Sequence, residues 1–213
     1  MRGRPHGPRR IAALALFAAV AGCSFGEGKG EVSSPLLRAA PCFEGPFQLR
    51  PTFFASNPYR NSQILRIQRG DDLVENSDGI EILVDDTAQV RRSLGQPLAV
   101  GLPKGVSPPG VPVIADTDPP IVHLTFYLHQ TCHGENIALS AVDGSVTFSA
   151  LFGGNRSEDD AADKLTEATF DVRVGDPRLS PPGERLPQES ALSQLKGSFR
   201  FYFARAQGSQ PFP

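Results

Sequence analysis

The chain has 213 residues, of which 39% are hydrophobic and 21% are charged, a composition typical of a globular domain. Without its first 22 residues it retains 17 of its 21 basic residues against 23 acidic ones, so the net charge becomes −6. This acidic balance argues against nucleic acid as a partner, which needs basic patches, and against electrostatic adhesion to anionic lipid.

The amino terminus has the parts of a secretory signal. Residues 1–10 carry four arginines and no acid, and residues 11–21 form an apolar run of eleven (IAALALFAAVA). The run is too short for a stable membrane-spanning helix, which needs about 20 residues. A basic segment, a short apolar segment and small residues at the cleavage point are typical of export. We therefore expect residues 1–22 to be a signal peptide.

The residues that close this segment, Val20-Ala21-Gly22-Cys23, resemble the lipobox of bacterial lipoproteins. The resemblance implies that diacylglycerol is attached to the Cys23 thiol, that the chain is cleaved between Gly22 and Cys23, and that the new amino group is acylated. Several acyl chains anchor a protein stably, whereas one chain binds a membrane only marginally. Ser24, which is not aspartate, resembles an outer-membrane sorting signal. The resemblance thus implies a Gram-negative lipoprotein precursor held on the cell envelope, at the outer membrane, facing the periplasm or the cell surface.

Composition divides the remaining chain into a tether, one domain and a tail. Residues 23–40 begin with small, polar and Gly/Ser-containing sequence, which predicts a flexible tether behind the lipid. Residues 41–206 are interpreted as a single domain, since one core accommodates about 165 residues. Residues 207–213 are expected to form a short carboxy-terminal tail.

Two cysteines, Cys42 and Cys132, remain once Cys23 carries lipid. Export places them in an oxidising compartment, where paired thiols form disulfides. A bridge between them would close a loop of about 90 residues and join the start of the domain to a strand in its middle. Free thiols or a metal site are the alternatives.

Apolar residues recur with period two along most of the domain, which indicates strands with one buried face. The clearest alternation runs from 121 to 132, where His123, Tyr127 and His129 are predicted to point outward. The apolar positions of the seven runs are Phe47, Leu49 and Phe53; Leu65 and Ile67; Ile80, Ile82 and Val84; Val122, Leu124, Phe126, Leu128 and Cys132; Val146, Phe148, Ala150 and Phe152; Phe170, Val172 and Val174; and Phe199, Phe201 and Phe203.

Glycine, proline, asparagine and aspartate separate these runs, so the sequence predicts an all-β fold with little helix. The expected architecture is an antiparallel β-sandwich or a barrel-like sheet of about seven to nine strands. Asp143 and Gly144 are predicted to close a hairpin between 137–142 and 145–152. Short helices are expected at 87–94 and 190–195.

Histidines and carboxylates are the candidates for metal chemistry. His123 and His129 are about 20 Å apart along an extended strand, too far to share a zinc ion. His133 is also too far from His129 unless the chain turns at Gly134. Acidic clusters at 71–72, 85–86, 116–118 and 158–163 are better explained as solvated hairpin tips than as calcium loops, since EF-hand spacing is absent. We therefore predict no metal site and no cofactor.

Catalytic motifs are also absent from the sequence. There is no G-x-S-x-G nucleophile elbow, and a Gly-Gly pair at 153–154 lacks the lysine and serine of a phosphate-binding loop. Tyr127 and Tyr202 are predicted to be exposed on strands, and Phe54 and Tyr59 in loops, where aromatic rings could bind sugars.

The favoured interpretation is a non-enzymatic, membrane-anchored binding or structural module of the cell envelope. Its partners would be the membrane, through the lipid, and an envelope protein or glycan. An envelope-polymer hydrolase and a glycan- or calcium-binding adhesion module are the alternatives. Fold alone does not choose among them, since sandwiches host many functions.

Overall fold

The computed structural model describes residues 28–70, 73–103, 120–152, 164–182, 184 and 186–202. This part of the chain is mostly antiparallel sheet with one short α-helix, α1 (Thr87–Arg92), so the predicted all-β class is confirmed. No helix among these residues is long and apolar enough to cross a bilayer. The strands are β1 (Gly28–Ala39), β2 (Phe43–Leu49), β3 (Phe53–Tyr59), β4 (Ser62–Arg69), β5 (Asp78–Val84), β6 (Pro97–Ala99), β7 (Val122–Leu128), β8 (Ala138–Ala150), β9 (Leu165–Gly175) and β10 (Ser193–Tyr202).

All ten described strands belong to one curled sheet. Its order is β2-β1-β10-β9-β8-β7-β5-β4-β3, with β6 pairing alongside β8. The two strands at its edges, β2 and β3, follow each other in the chain and are joined by residues 50–52. Because so short a connection links opposite edges, the sheet must bend round on itself into a half-barrel.

The two halves of the sheet pack face to face with their strands crossing. At one end of β1, Gly28 lies against Phe54 of β3, whose ring centroid is 5.7 Å from that of Phe201 in β10. At the other end of β1, a disulfide joins Cys42 in the turn to β2 with Cys132 in the turn that follows β7. The strand β1 therefore runs across the opposed strands, as in orthogonal sheet packing.

The core is apolar and lies inside this curl. Period-two alternation places Phe199 and Phe201 of β10 inward and Arg200 outward, as predicted from the sequence. Val90 of α1 closes one end of the core, and the α1 N-terminus is capped by the Asp86 carboxylate, which accepts from Gln89 N–H at 2.8 Å. The helix predicted at 87–94 is thus present. The region predicted as a helix at 190–195 contains only a 3-10 turn (Glu189–Ala191) before β10 begins.

The hairpin predicted at Asp143 and Gly144 is wrong. These residues lie within the single long strand β8, where the pairing register with β9 shifts between Ala141 and Asp143. Gly144 adopts a positive φ of 109°. A Cβ there would also meet the backbone of Asp171, so a glycine was needed for a bulge rather than a turn. The bulge bends β8 between the two halves of the sheet.

The tether predicted over 23–40 is wrong for its described part, and so is the predicted start of the domain at 41. Residues 28–39 form β1, which is hydrogen-bonded to β2 on one side and β10 on the other. Val32, Leu37 and Ala39 are buried in the core. This strand was not predicted because Pro35 lies where the register of β1 with β2 shifts, and the shift breaks the alternation of apolar residues.

Candidate functional site

A pocket of about 410 Å³ lies beside the disulfide, at the end of β1 away from Gly28. Small-molecule sites commonly have volumes of roughly 300–1,000 Å³. The near wall of the pocket is the β1–β2 turn, the floor is the start of β8, and the far wall is the segment between β9 and β10. Residues from these segments that line the pocket include Arg38, Pro41, Glu44, Leu139, Asp176 and Leu179.

The disulfide between Cys42 and Cys132 fixes the near wall of this pocket. The pair predicted from the sequence is bonded, with the two Cα atoms 5.8 Å apart. Cys42 itself lines the pocket, whereas Cys132 is buried in the core. The β1–β2 turn is therefore attached covalently to the chain that leaves β7.

The buried carboxylate of Asp78 fixes the turn on the Cys132 side of the disulfide. Asp78 has no exposed surface, and its Oδ1 accepts from the backbone N–H groups of Gln130 (3.0 Å) and Thr131 (2.8 Å). Its Oδ2 accepts from Thr131 Oγ1 (2.6 Å) and Arg69 Nη2 (2.8 Å). The carboxylate thus fixes the turn that carries Cys132, and through the disulfide it positions the pocket wall.

Arg38 is the cationic group of the pocket. Its backbone N–H donates to Ser193 Oγ (2.8 Å) and its Nη1 donates to the Leu192 carbonyl (3.2 Å), which holds β1 against the start of β10. Its Nε lies 3.6 Å from Glu44 Oε1, and the Glu44 side chain is 70% exposed. A solvated carboxylate at this distance is weakly held, so a ligand anion could take its place.

The opposite wall is shaped by Asp176 and Arg178. The Asp176 carboxylate is nearly buried and accepts from Arg178 N–H (2.9 Å), Nε (2.9 Å) and Nη2 (2.6 Å). These hydrogen bonds raise the pKa of Arg178 above its ordinary value. Because this carboxylate is already paired, Arg38 and Glu44 are the charged pocket residues open to exchange.

The lining of the pocket supplies apolar surface and one cation. Its described residues include an exposed serine, Ser190, but no histidine that could act as its base and no free thiol. Alanine, leucine, proline and phenylalanine side chains supply apolar surface, and one guanidinium supplies a fork of donors for a carboxylate or phosphate. This combination suits a small amphiphilic anion.

The histidines are more buried than the sequence predicted. His123 was expected on an exposed face but is only 3% exposed, with Nδ1 2.8 Å from the Gly101 carbonyl and Nε2 3.1 Å from Asp85 Oδ2. His129 is half-buried, with Nδ1 3.0 Å from the Val74 carbonyl and Nε2 out of contact with solvent. Neither histidine presents an accessible ring nitrogen, and His133 lies exposed on the following turn.

Both acidic residues of the predicted cluster at 85–86 have structural partners. Asp85 faces His123, and Asp86 caps α1. The clusters at 71–72, 116–118 and 158–163 lie outside the described residues. Among the residues that the structure does describe, no three His, Cys, Asp or Glu side chains are grouped to hold a metal ion.

Two of the four aromatic residues expected to be exposed are buried. Tyr59 and Tyr202 are exposed, but Phe54 lies in the core and Tyr127 is only 3% exposed. The Tyr127 hydroxyl donates to Gln68 Oε1 at 2.7 Å. This hydrogen bond crosses β5 at Gly79, which pairs with Gln68 of β4 on one side and with Tyr127 of β7 on the other. Gln68 in turn donates through Nε2 to Ser77 Oγ at 2.8 Å. Burial raises the pKa of the Tyr127 hydroxyl, with the Arg66 guanidinium opposing the shift.

Replacing Tyr127 by phenylalanine is expected to lower the free energy of unfolding by about 1–2 kcal/mol, because Gln68 loses a buried donor. Tyr59→Phe is the matched control, since its hydroxyl is exposed, and should change stability by less than about 0.5 kcal/mol. Urea unfolding of both variants measures the difference. Equal losses of stability in Tyr127→Phe and Tyr59→Phe would show that the buried hydroxyl stabilises the fold no more than the exposed one.

The difference in stability between the wild type and Tyr127→Phe should also depend on pH. The unfolded chain loses the Tyr127 proton above about pH 10, whereas the folded chain retains it because its pKa is raised. The stability contributed by this hydroxyl is therefore present below pH 10 and is lost as the pH rises further. The stability advantage of the wild type over Tyr127→Phe should shrink above pH 10, and a constant difference would contradict the shift.

The lipidation and cleavage residues, Cys23 and Gly22, lie outside the described residues. The pocket residues Arg38 and Glu44 were not predicted from the sequence, which assigned position 38 to a tether. They carry opposite charges and form a cross-strand pair, but that pairing is known only from the register of β1 with β2. Comparisons of the chain with protein-family models, with characterised proteins and with solved structures find no significant match.

Proposed function

We propose that the protein is a lipid-anchored binding module of the cell envelope, and that it binds a small amphiphilic anion in the pocket beside the disulfide. The observation that carries the binding role is the pocket itself, which is of ligand size and framed by a covalent bridge. A wall fixed before binding lowers the ordering cost that a ligand must overcome. The ligand's anionic group would lie on Arg38 and its apolar part on the neighbouring alanine and leucine side chains.

The anchoring role rests on the sequence Val20-Ala21-Gly22-Cys23. Acyl chains on Cys23 would hold the domain on the membrane, at the outer membrane if Ser24 acts as a sorting residue. Replacing Cys23 by alanine should abolish acylation and cleavage before this position. Mass spectrometry of the membrane fraction should find an acylated Cys23 amino terminus in the wild type. Unaltered processing and fractionation of Cys23→Ala would overturn the anchor.

Benzoate is a suitable probe for the pocket because it pairs a carboxylate with an apolar ring and is soluble in water. We expect benzoate to shift the backbone amide resonances of residues 39–40 and 42–44 in the mature, detergent-solubilised protein, and to do so saturably. Arg38→Gln should weaken this binding about tenfold or more, since a charge-assisted hydrogen bond contributes roughly 1.5–3 kcal/mol. Benzyl alcohol, which lacks the charge, should not distinguish the two proteins.

Two variants control this titration. Glu44→Gln should strengthen benzoate binding, because it removes the carboxylate that competes for the guanidinium of Arg38. Arg200→Gln, which changes an exposed arginine at the other end of the sheet, should leave binding unchanged. Failure of benzoate to shift the pocket amides, or equal binding by Arg38→Gln, would overturn the proposed site.

A further inference from the structure

The end of the sheet closest to the proposed anchor is formed by the start of β1 and the end of β10. Gly28, the first residue of β1, pairs with Phe201 in the register of these strands. Only residues 24–27 separate Gly28 from Cys23, so the two Cα atoms lie at most about 18 Å apart. A lipid on Cys23 would therefore hold this end of the sheet, and no other, next to the bilayer.

We propose that the end formed by Gly28, Lys29, Arg200 and Tyr202, here named the anchor-proximal end, lies on the headgroup layer of a zwitterionic bilayer, with the ligand pocket facing away from it. This inference rests on the proposed lipid anchor. It adds a second membrane contact, made by protein side chains, and it sets the orientation in which the pocket is displayed.

The side chains of the anchor-proximal end suit such a surface. Lys29 and Arg200 are direct cross-strand neighbours, and Glu167, on the other side of Arg200, supplies one carboxylate at 3.7 Å for these two cations. Tyr202 is 39% exposed, and its Oη lies 3.0 Å from Arg200 Nη2. Long basic side chains and tyrosines are favoured at membrane interfaces, where their apolar parts face lipid and their polar ends face headgroups. A lipid phosphate would supply an anion for the second cation.

An acidic residue beside these cations indicates which kind of lipid headgroup this end would contact. Glu167 of β9 lies 3.7 Å from Arg200 and is part of the same face. A strongly anionic surface would repel this carboxylate, so a neutral headgroup such as phosphatidylethanolamine is the better partner.

The pocket lies at the far end of β1. Nine residues of strand separate Lys29 from Arg38, which corresponds to about 30 Å at 3.3 Å per residue. With the anchor-proximal end on the membrane, the pocket opens towards the compartment beyond the headgroups. A ligand could then reach it without entering lipid.

Energy transfer between the protein and a labelled bilayer tests this orientation. The mature lipidated protein would be inserted into phosphatidylcholine–phosphatidylethanolamine vesicles that carry a headgroup-linked acceptor. A donor dye would be attached to cysteine in Glu31→Cys or in Glu44→Cys, both exposed positions. Because Cys42 and Cys132 are bonded and the Cys23 thiol of the lipidated protein carries the acyl group, only the introduced thiol reacts. Glu44 pairs with Arg38, so the dye at 31 should lie about 20 Å closer to the acceptor plane than the dye at 44.

A second pair of variants tests contact by the side chains. Lys29→Glu with Arg200→Glu should lower energy transfer from position 31, whereas Lys196→Glu, on the same face of β10 but further from the anchor, should not. Urea unfolding verifies that each variant is folded. Equal or reversed distances at 31 and 44, or no effect of the double charge reversal, would overturn this inference while the protein stays on the vesicles. Absence of vesicle binding would instead overturn the lipid anchor itself.

Discussion

Replacing Asp78 by alanine is expected to destabilise the protein by about 3–5 kcal/mol, the largest effect of any single substitution considered for this chain. The carboxylate is fully buried and accepts four hydrogen bonds, three of them from Gln130 and Thr131. Hydrogen bonds to a charged acceptor contribute roughly 1.5–3 kcal/mol each, and not all are additive. Two backbone N–H groups would lose their acceptor when the side chain is removed. Urea unfolding measures the loss.

Two further variants separate the charge of Asp78 from its shape. Asp78→Asn keeps the volume but places an amide where Oδ1 and Oδ2 accept, so it should still cost more than about 2 kcal/mol. Asp171→Ala removes a half-exposed carboxylate that pairs with Lys196 at 2.8 Å, and it should cost less than about 1 kcal/mol. Similar losses for Asp78→Ala and Asp171→Ala would contradict the anchoring role of the buried carboxylate.

Removing the disulfide by Cys42→Ser with Cys132→Ser is expected to lower the free energy of unfolding by about 4 kcal/mol. The bridge spans a sequence separation of 90 residues, and the chain-entropy model gives a cost of this size for a loop of that length. Reduction of the wild type by dithiothreitol should shift the urea midpoint in the same direction. An unchanged midpoint after complete reduction, verified by mass, would show that the bridge does not stabilise the fold.

Asp78 and the disulfide should also prove to be coupled. Both fix the chain at 129–132, one through hydrogen bonds to Thr131 and the other through Cys132. Once the bridge is absent, this turn is freer, and the carboxylate has less ordered structure to stabilise. The triple variant should therefore lose less stability than the sum of the two separate losses, by about 0.5–3 kcal/mol. The same variants should weaken benzoate binding, because the pocket wall is then no longer fixed.

The parts of the fold that followed a simple local rule were predictable. Strict alternation in β7 and β10 identified both strands and the inward side of each, because period two is a property of the backbone itself. The disulfide was predictable because an exported chain with lipid on Cys23 would have two remaining thiols and one possible pairing. The Asp86 cap shows similarly why a short helix begins at Thr87.

Features of the fold that depend on residues far apart in the sequence could not be predicted from local sequence patterns. Alternation indicates which side of β7 is polar, but it does not show that this side is covered, so Tyr127 and His123 were wrongly placed in solvent. Asp143 and Gly144 have the residues of a tight turn, and a bulge uses the same positive φ, so only the pairing with β9 distinguishes the two. The pocket combines residues 38–44 with residues 176–191, which no local pattern connects.

The pairing of β1 with β10 has a consequence for biogenesis. The first and last described strands are neighbours, separated from one edge of the sheet only by β2, and β2 pairs with β1 alone among the described strands. Until β10 has been synthesised, β1 lacks one of its two strand partners, and pairings of such high sequence separation form slowly. We therefore expect closure of this part of the sheet to be a late step of folding, after the strands from β3 to β9 have paired with their neighbours.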